Sequence, residues 1–263
     1  MVATIQLAGP RSPLDRVGGR RLYLDAGTGG QRHVKILIVS DIHGNYDALS
    51  ALPEGYDKLW VLGDLVNYGP EPAEVTEWVR KRAAIVVRGN HDHAAGFGVD
   101  PRCSAPYRAM ASATQRFTES VLSREQKEFL ANLPLMATAE AGDALFLLCH
   151  AKPSDPLFGY CPPESEQWPT EVGRLLADVV LVGHTHLPFV RRVGNCTIVN
   201  PGSLGQPKTG GSEASYAVWN DGAIELKLFS YPFERTISKI GDLPIPDGIR
   251  QDLASVLRTG GTF

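Results

Sequence analysis

Lys35-Ile36-Leu37-Ile38-Val39-Ser40-Asp41-Ile42-His43-Gly44-Asn45 is the stretch whose reading decides the fold. Four consecutive apolar residues, Ile36 to Val39, describe a strand buried on both faces, as in the middle of a parallel sheet. The run stops at a carboxylate and an imidazole two residues apart. In an extended chain Asp41 and His43 point the same way and reach one common point. Gly44 permits a turn, and Asn45 is a suitable N-cap for a helix through Asp47, Ala48, Leu49 and Leu52. Open α/β sheets hold their sites outside the carboxyl ends of strands, which is where Asp41 and His43 fall.

Two further stretches repeat the pattern. Lys58-Leu59-Trp60-Val61-Leu62 runs into Gly63-Asp64, and Ala84-Ile85-Val86-Val87 runs into Arg88-Gly89-Asn90-His91-Asp92. Between them Glu71-Pro72 opens a helix through Val75, Trp78 and Val79, with proline near its first turn. Strand, helix, strand, helix, strand implies parallel pairing with right-handed crossovers. Residues 104–133 read as a helical insert. Met110, Phe117, Val121, Phe129 and Leu130 are its candidates for burial, and Ser123 with Gln126 forms a capping box.

A second set of strands follows. Leu135 to Glu140 and Ala144 to Cys149 form a hairpin at Gly142-Asp143 and end at His150. A helix over Thr170 to Leu176 leads to a buried strand, Val179 to Val182, that ends in Gly183-His184-Thr185-His186. Shorter strands near Phe189-Val193, Thr197-Val199, Tyr216-Trp219 and Ile224-Phe229 complete a second sheet, and a final helix covers Asp247 to Arg258. Residues 1–33 differ: rich in glycine, proline and arginine, without the apolar core of a signal peptide, they read as a poorly structured appendage. Residues 34–263 read as a single domain.

The 263 residues are enough to bury a substantial core, and 43% hydrophobic with 21% charged residues is ordinary for a soluble enzyme. A net charge of −3 gives no electrostatic reason to bind nucleic acid or anionic membrane. No apolar run approaches the roughly 20 residues of a membrane helix. Cys103, Cys149, Cys161 and Cys196 show no Cys-x-x-Cys pairing and suit reduced thiols in a cytoplasm.

Five of the 7 histidines, His43, His91, His150, His184 and His186, sit at the ends of apolar strands beside Asp, Asn or Gly. One such histidine is usually a capping or satisfied core residue. Five, accompanied by Asp41 and Asp64, need another account, because burying two carboxylates together is costly unless positive charge compensates. Imidazoles, carboxylates and one amide oxygen suit first-row divalent ions such as Mn, Fe, Ni or Zn. Even with His91 set aside, the seven ligands that remain exceed what one tetrahedral ion needs, so two ions is the economical count, with Asp64 bridging.

Taken together, Asp41-x-His43, Gly63-Asp64, Gly89-Asn90-His91-Asp92, His150 and Gly183-His184-x-His186 closely resemble the calcineurin-like metallophosphoesterase superfamily. The loops Val66-Asn67-Tyr68-Gly69-Pro70 and Asn200-Pro201-Gly202-Ser203-Leu204-Gly205-Gln206-Pro207 resemble its small bacterial phosphodiesterase branch. That resemblance implies a four-layer α/β/β/α sandwich, two mixed sheets packed face to face with helices outside. It implies one metal on Asp41, His43, Asp64 and His186, a second on Asp64, Asn90, His150 and His184, and attack on a phosphoester by a bridging hydroxide. Two such ions, two carboxylates and that hydroxide leave a local charge of about +1, which favours a phosphate anion. By the same resemblance His91 faces substrate, stabilising the transition state or protonating the leaving oxygen. Asp92 is expected to orient it, or else to cap a helix.

The resemblance has departures. Superfamily protein phosphatases carry Asp-Arg after Gly-Asp, where this chain has Asn67-Tyr68. After His150 the branch commonly has Gly-Ser, where this chain has Ala151-Lys152. Asn67, Lys152 and Asn200 are the candidate substrate contacts; a solvated lysine and a tight turn at Pro201-Gly202 are the simpler accounts of the latter two. The expected substrate is a small phosphodiester or phosphomonoester. A dinucleoside polyphosphate, a phosphoprotein or a non-catalytic scaffold role are the alternatives.

Overall fold

In the computed structural model, which describes residues 3–6, 34–53 and 55–261, the decisive stretch forms a strand near the middle of a six-stranded sheet. That sheet runs β1 (Ala3–Gln6), β11 (Ala223–Phe229), β10 (Ala214–Asn220), β2 (Lys35–Val39), β3 (Lys58–Val61), β4 (Ile85–Val86). β2, β3 and β4 are parallel, as the crossovers through α1 (Tyr46–Ser50) and α2 (Pro72–Arg82) require. The second sheet runs β5 (Met136–Ala141), β6 (Ala144–Cys149), β7 (Val179–Leu181), β9 (Cys196–Asn200), β8 (Phe189–Val193). Its three inner strands are parallel and its two edges antiparallel.

Tyr216-Trp219 and Ile224-Phe229 do not join the second sheet as the sequence suggests. β10 lies antiparallel against β2, with Ala217 opposite Ile38 and Trp219 opposite Ile36. The reason is visible in β10 itself: Ala214 to Trp219 are all buried, so the strand needs cover on both faces and takes a central place.

Three apolar layers separate four layers of structure. Leu37, Val39, Leu59, Val61 and Val218 face α1 and α2. The alternate residues Ile36, Ile38, Trp60, Ala217 and Trp219 face Phe146, Leu148, Val179 and Leu181 of the second sheet. On that sheet's far side, Leu147, Cys149, Val180 and Ile198 pack on Trp168 and Val172 of α6 (Trp168–Val172). The arrangement is the α/β/β/α sandwich, and the period-2 alternation of each strand creates it.

Around the sandwich sit α3 (Asn90–Phe97), α4 (Arg108–Val121), α5 (Arg124–Asn132), α7 (Phe233–Gly241) and α8 (Asp247–Thr259). Ser123 and Gln126 exchange the two bonds of the expected capping box, at 3.2 and 3.0 Å. Val121, a candidate for burial, is 42% exposed, and α6 ends at Gly173, leaving Leu176 in solvent. Ala3–Gln6, expected within the appendage, add a strand beside Ala223–Leu226. Residues 7–33 of that appendage lie outside the described residues. The cysteines are free thiols, and no helix among the described residues is long and apolar enough to cross a membrane.

Candidate metal centre

The strands β2, β3, β4, β6 and β7 all deliver their carboxyl ends to one side of the sandwich. Asp41 and His43 do meet there, but not because the chain stays extended. β2 ends at Val39, and both residues are left-handed, with φ of 53° and 48°. Asp64, His184 and His186 share that conformation, at 56°, 63° and 62°. It costs a residue with a Cβ about 1 kcal/mol or more. Backbone bonds between neighbouring strand ends hold it in place: Asp41 N–H to Gly63 O at 3.0 Å, His43 N–H to Asp64 O at 2.9 Å, and Gly205 N–H to Asp41 O at 3.0 Å. Gly89 is required by close approach: a Cβ there would fall 2.0 Å from Asp64 Oδ1.

Three histidines are oriented by main-chain carbonyls. Nδ1–H donates to Val66 O from His43 (3.1 Å), to Leu62 O from His150 (2.8 Å) and to Gln206 O from His186 (2.8 Å). A carbonyl only accepts, so in the neutral ring each Nε2 presents a lone pair inward. Two of these, on His43 and His186, are 3.2 Å apart. Asp41 Oδ1 lies 3.3 Å from His186 Nε2 and 3.8 Å from His43 Nε2, buried and without a hydrogen bond. Asp64 Oδ2 lies 3.8 Å from His43 Nε2 and 3.2 Å from His150 Nε2, and Asn90 Oδ1 is 3.1 Å from that same nitrogen.

Among the described residues, the donor atoms of Asp41, His43 and His186 form one cluster. Those of Asp64, His150 and His184 form another, and those of His43, Asp64 and His91 a third. Lone pairs facing lone pairs, around an orphaned buried carboxylate oxygen, fit a cation between them. The donor chemistry fits a first-row divalent ion.

Electrostatics agree. Burial pushes the Asp41 and Asp64 carboxyls up, but His186 beside the first and His150 beside the second hold both well below the usual carboxylate range. Burial drives His43 far below an ordinary histidine and His184 down to about 3. His150 is the exception: Asp64 outweighs its burial and carries it up to about 9, a proton that a bound cation must displace.

His91 is built differently. Its backbone N–H donates to Asp64 Oδ1 at 2.8 Å, while both ring nitrogens face other groups: Nδ1 lies 2.7 Å from Asn67 Nδ2, and Nε2 lies 3.5 Å from Cys103 Sγ. Burial lowers its pKa, but Asp64 and Cys103 more than offset this and leave it raised. Asp92 does not orient His91. Its carboxylate accepts from the backbone N–H groups of Asp64 (2.7 Å), Leu65 (2.8 Å) and Gly89 (3.0 Å), closing the first turn of α3. Successive helix residues diverge by about 100°, so neighbours in sequence face different groups.

The three candidate substrate contacts all have partners within the protein. Asn67 holds His91. Asn200 spans Gly183 O (2.7 Å), Thr185 Oγ1 (3.1 Å) and Gly202 N (2.8 Å), which makes it a turn-former. Lys152 reaches Gln167 at the N-cap of α6 (2.7 Å) and Glu171 within it (3.0 Å). Sequence reasoning gives Lys208, Tyr68 and Cys103 no role at the site. Tyr68 packs edge-on against His43 with ring centroids 4.8 Å apart, and its hydroxyl is 3.5 Å from Cys103 Sγ. The carbonyls that orient the histidines carry no signal in sequence at all.

Residues 34–220 match the calcineurin-like phosphoesterase superfamily domain. An uncharacterized protein of Methanocaldococcus jannaschii is 31% identical over 242 residues, covering 83% of this chain and 96% of its own. The phosphodiesterase YfcE of Escherichia coli is 29% identical over 213 residues, covering 73% and 91%. Among solved structures, a metallophosphoesterase from Sphaerobacter thermophilus is 28% identical with a TM-score of 0.73, covering 86% of this chain and 100% of that one. Matched from β2 through β10 and aligned over nearly all of a relative's length, the chain belongs to the calcineurin-like phosphoesterase superfamily.

Proposed function

We propose that this chain hydrolyses small phosphodiesters or phosphomonoesters at a centre for two divalent ions. Membership of the superfamily makes it a phosphoester hydrolase; the two-ion centre and the residue roles are the proposal. Asp41, His43, Asp64 and His186 would hold one ion, and Asp64, Asn90, His150 and His184 the other. One observation carries this reading: Asp64 Oδ2 stands between His43 Nε2 of one donor set and His150 Nε2 of the other. When bound, such ions acidify water and brace the attacking and leaving oxygens of an in-line displacement.

His91 is the acid of this reading. Held at Nδ1 by Asn67, it directs Nε2–H toward the space beside Cys103 and serves the phosphoryl or leaving oxygen. Its backbone N–H donates to Asp64 Oδ1, which anchors the acid on the shared carboxylate. A phosphoprotein phosphatase is disfavoured, because the Asp-Arg positions are filled by Asn67, which holds His91, and by Tyr68, whose ring packs against it. A scaffold role is disfavoured by the complete donor set.

Metal-stripped protein refilled with Mn and assayed on bis(p-nitrophenyl) phosphate and p-nitrophenyl phosphate tests the reading. About two ions per chain with activity on either ester supports it, and the faster ester sets the preference. Metal-loaded protein inert toward both would sink it. His91→Ala is expected to lower turnover at least tenfold with metal content unchanged.

A further inference from the structure

After β9 the chain is fastened to the metal centre at each step. Leu204 N–H donates to Ser40 O (3.0 Å), Ser203 Oγ–H to Asp41 O (2.8 Å), and Gln206 O holds His186 Nδ1 (2.8 Å). Four residues on, Gly210 N–H donates to Gly260 O at 2.9 Å. Lys208 lies between these anchors. Its ammonium sits 4.5 Å above the Tyr107 ring, half-buried, with no carboxylate in ion-pairing range among the described residues. It lies within electrostatic reach of His186 and Asp41, two members of the first donor cluster, and of Cys103, whose Sγ is 3.5 Å from His91 Nε2. Lys152, by contrast, has its charge met by Glu171.

Desolvating an ammonium without an anionic partner is costly. The loop nevertheless holds it there, on an aromatic platform that fixes its direction. Resting on the phosphoesterase reading above, we propose that Lys208 binds a non-bridging oxygen of the substrate phosphoryl group and selects for phosphates with two negative charges. The local charge of about +1 becomes about +2 with Lys208. The added cation attracts a dianionic phosphomonoester or terminal phosphate more strongly than a monoanionic diester.

The test uses the full chain loaded with Mn, comparing wild type with Lys208→Met and Lys208→Arg. Inorganic phosphate is titrated calorimetrically, metals are counted, and both nitrophenyl esters are assayed. Lys208→Met is expected to weaken phosphate at least tenfold with both ions retained. It should lose more of kcat/KM on the monoester than on the diester, and Lys208→Arg should recover most of the loss. Unchanged phosphate affinity and unchanged ester preference in Lys208→Met would overturn the assignment. Should that variant lose its ions, protection of wild-type Lys208 by phosphate against amine acetylation, read by mass spectrometry, decides instead; equal labelling overturns it. A wild type inert on both esters defeats the phosphoesterase reading, whereas an active wild type matched by the variant defeats only the role of Lys208.

Discussion

Asn67 Nδ2 lies 2.7 Å from His91 Nδ1, and both residues are buried. An amide nitrogen only donates, so in this arrangement the neutral imidazole carries its proton on Nε2. Asn67 Oδ1 is buried without a partner, and turning the amide over would place it against Nδ1–H of an imidazolium. One side chain can therefore serve both protonation states of His91. Asn67→Ala should cut turnover by about 10- to 100-fold, a share of what a positioned acid contributes, with metal content intact. Turnover within twofold of wild type would show that His91 needs no such support.

Asp92 meets three buried N–H groups, on Asp64, Leu65 and Gly89. Its removal strands all of them, at about 1–3 kcal/mol for each unmet buried donor. Asp92→Ala should therefore lower the stability of metal-stripped protein by about 3 kcal/mol or more, read as the urea midpoint at unchanged slope. A loss below about 1 kcal/mol would mean that water replaces the carboxylate.

Gly89→Ala would place a methyl carbon 2.0 Å from Asp64 Oδ1 and 2.4 Å from Asp64 N. The carboxylate shared by the two donor sets must move, so the variant should bind fewer than two ions per chain by elemental analysis. Gly211→Ala is the control, since a Cβ there meets nothing within 4 Å and should leave the count unchanged.

The five left-handed donors also predict how stability responds to chelation. Each conformation costs about 1 kcal/mol or more, an expense that bound ions offset only in the folded state. Dialysis against a chelator should lower the thermal midpoint and Mn should restore it. At a free ion concentration about a thousand times Kd the gain is about 4 kcal/mol. Coincident melts with and without metal would contradict a folded-state site.

Much of this was legible in the sequence, because the site ligands punctuate the strands. An apolar run that stops at Asp, His or Asn marks both a buried strand and the edge where polar groups gather. What was not legible depends on backbone direction. Asp41 and His43 converge through left-handed turns, which residue spacing does not reveal. Asp92 looked like the partner of His91 because it is adjacent, but within α3 adjacency sends side chains to different faces. One lysine in a glycine-rich loop carries no pattern, so Lys208 is not legible; only the fastening of that loop to Asp41 and His186 gives it a place. The sheet that β10 joins is hidden for a related reason: a doubly buried strand shows that it is central, not which sheet it completes.

The pairing of β2 has a consequence for the time course of synthesis. Its neighbours are β3, which follows closely, and β10, which spans Ala214–Asn220. Likewise His43 waits for His186, 143 positions later. A ribosome therefore releases Asp41, His43 and Asp64 well before the chain that completes their surroundings exists. Until β10 has emerged, the central strand has one open edge, and until His186 has emerged the first donor cluster lacks a member. A partly translated chain therefore lacks a complete donor set, and assembly of the site waits on the last strands to emerge.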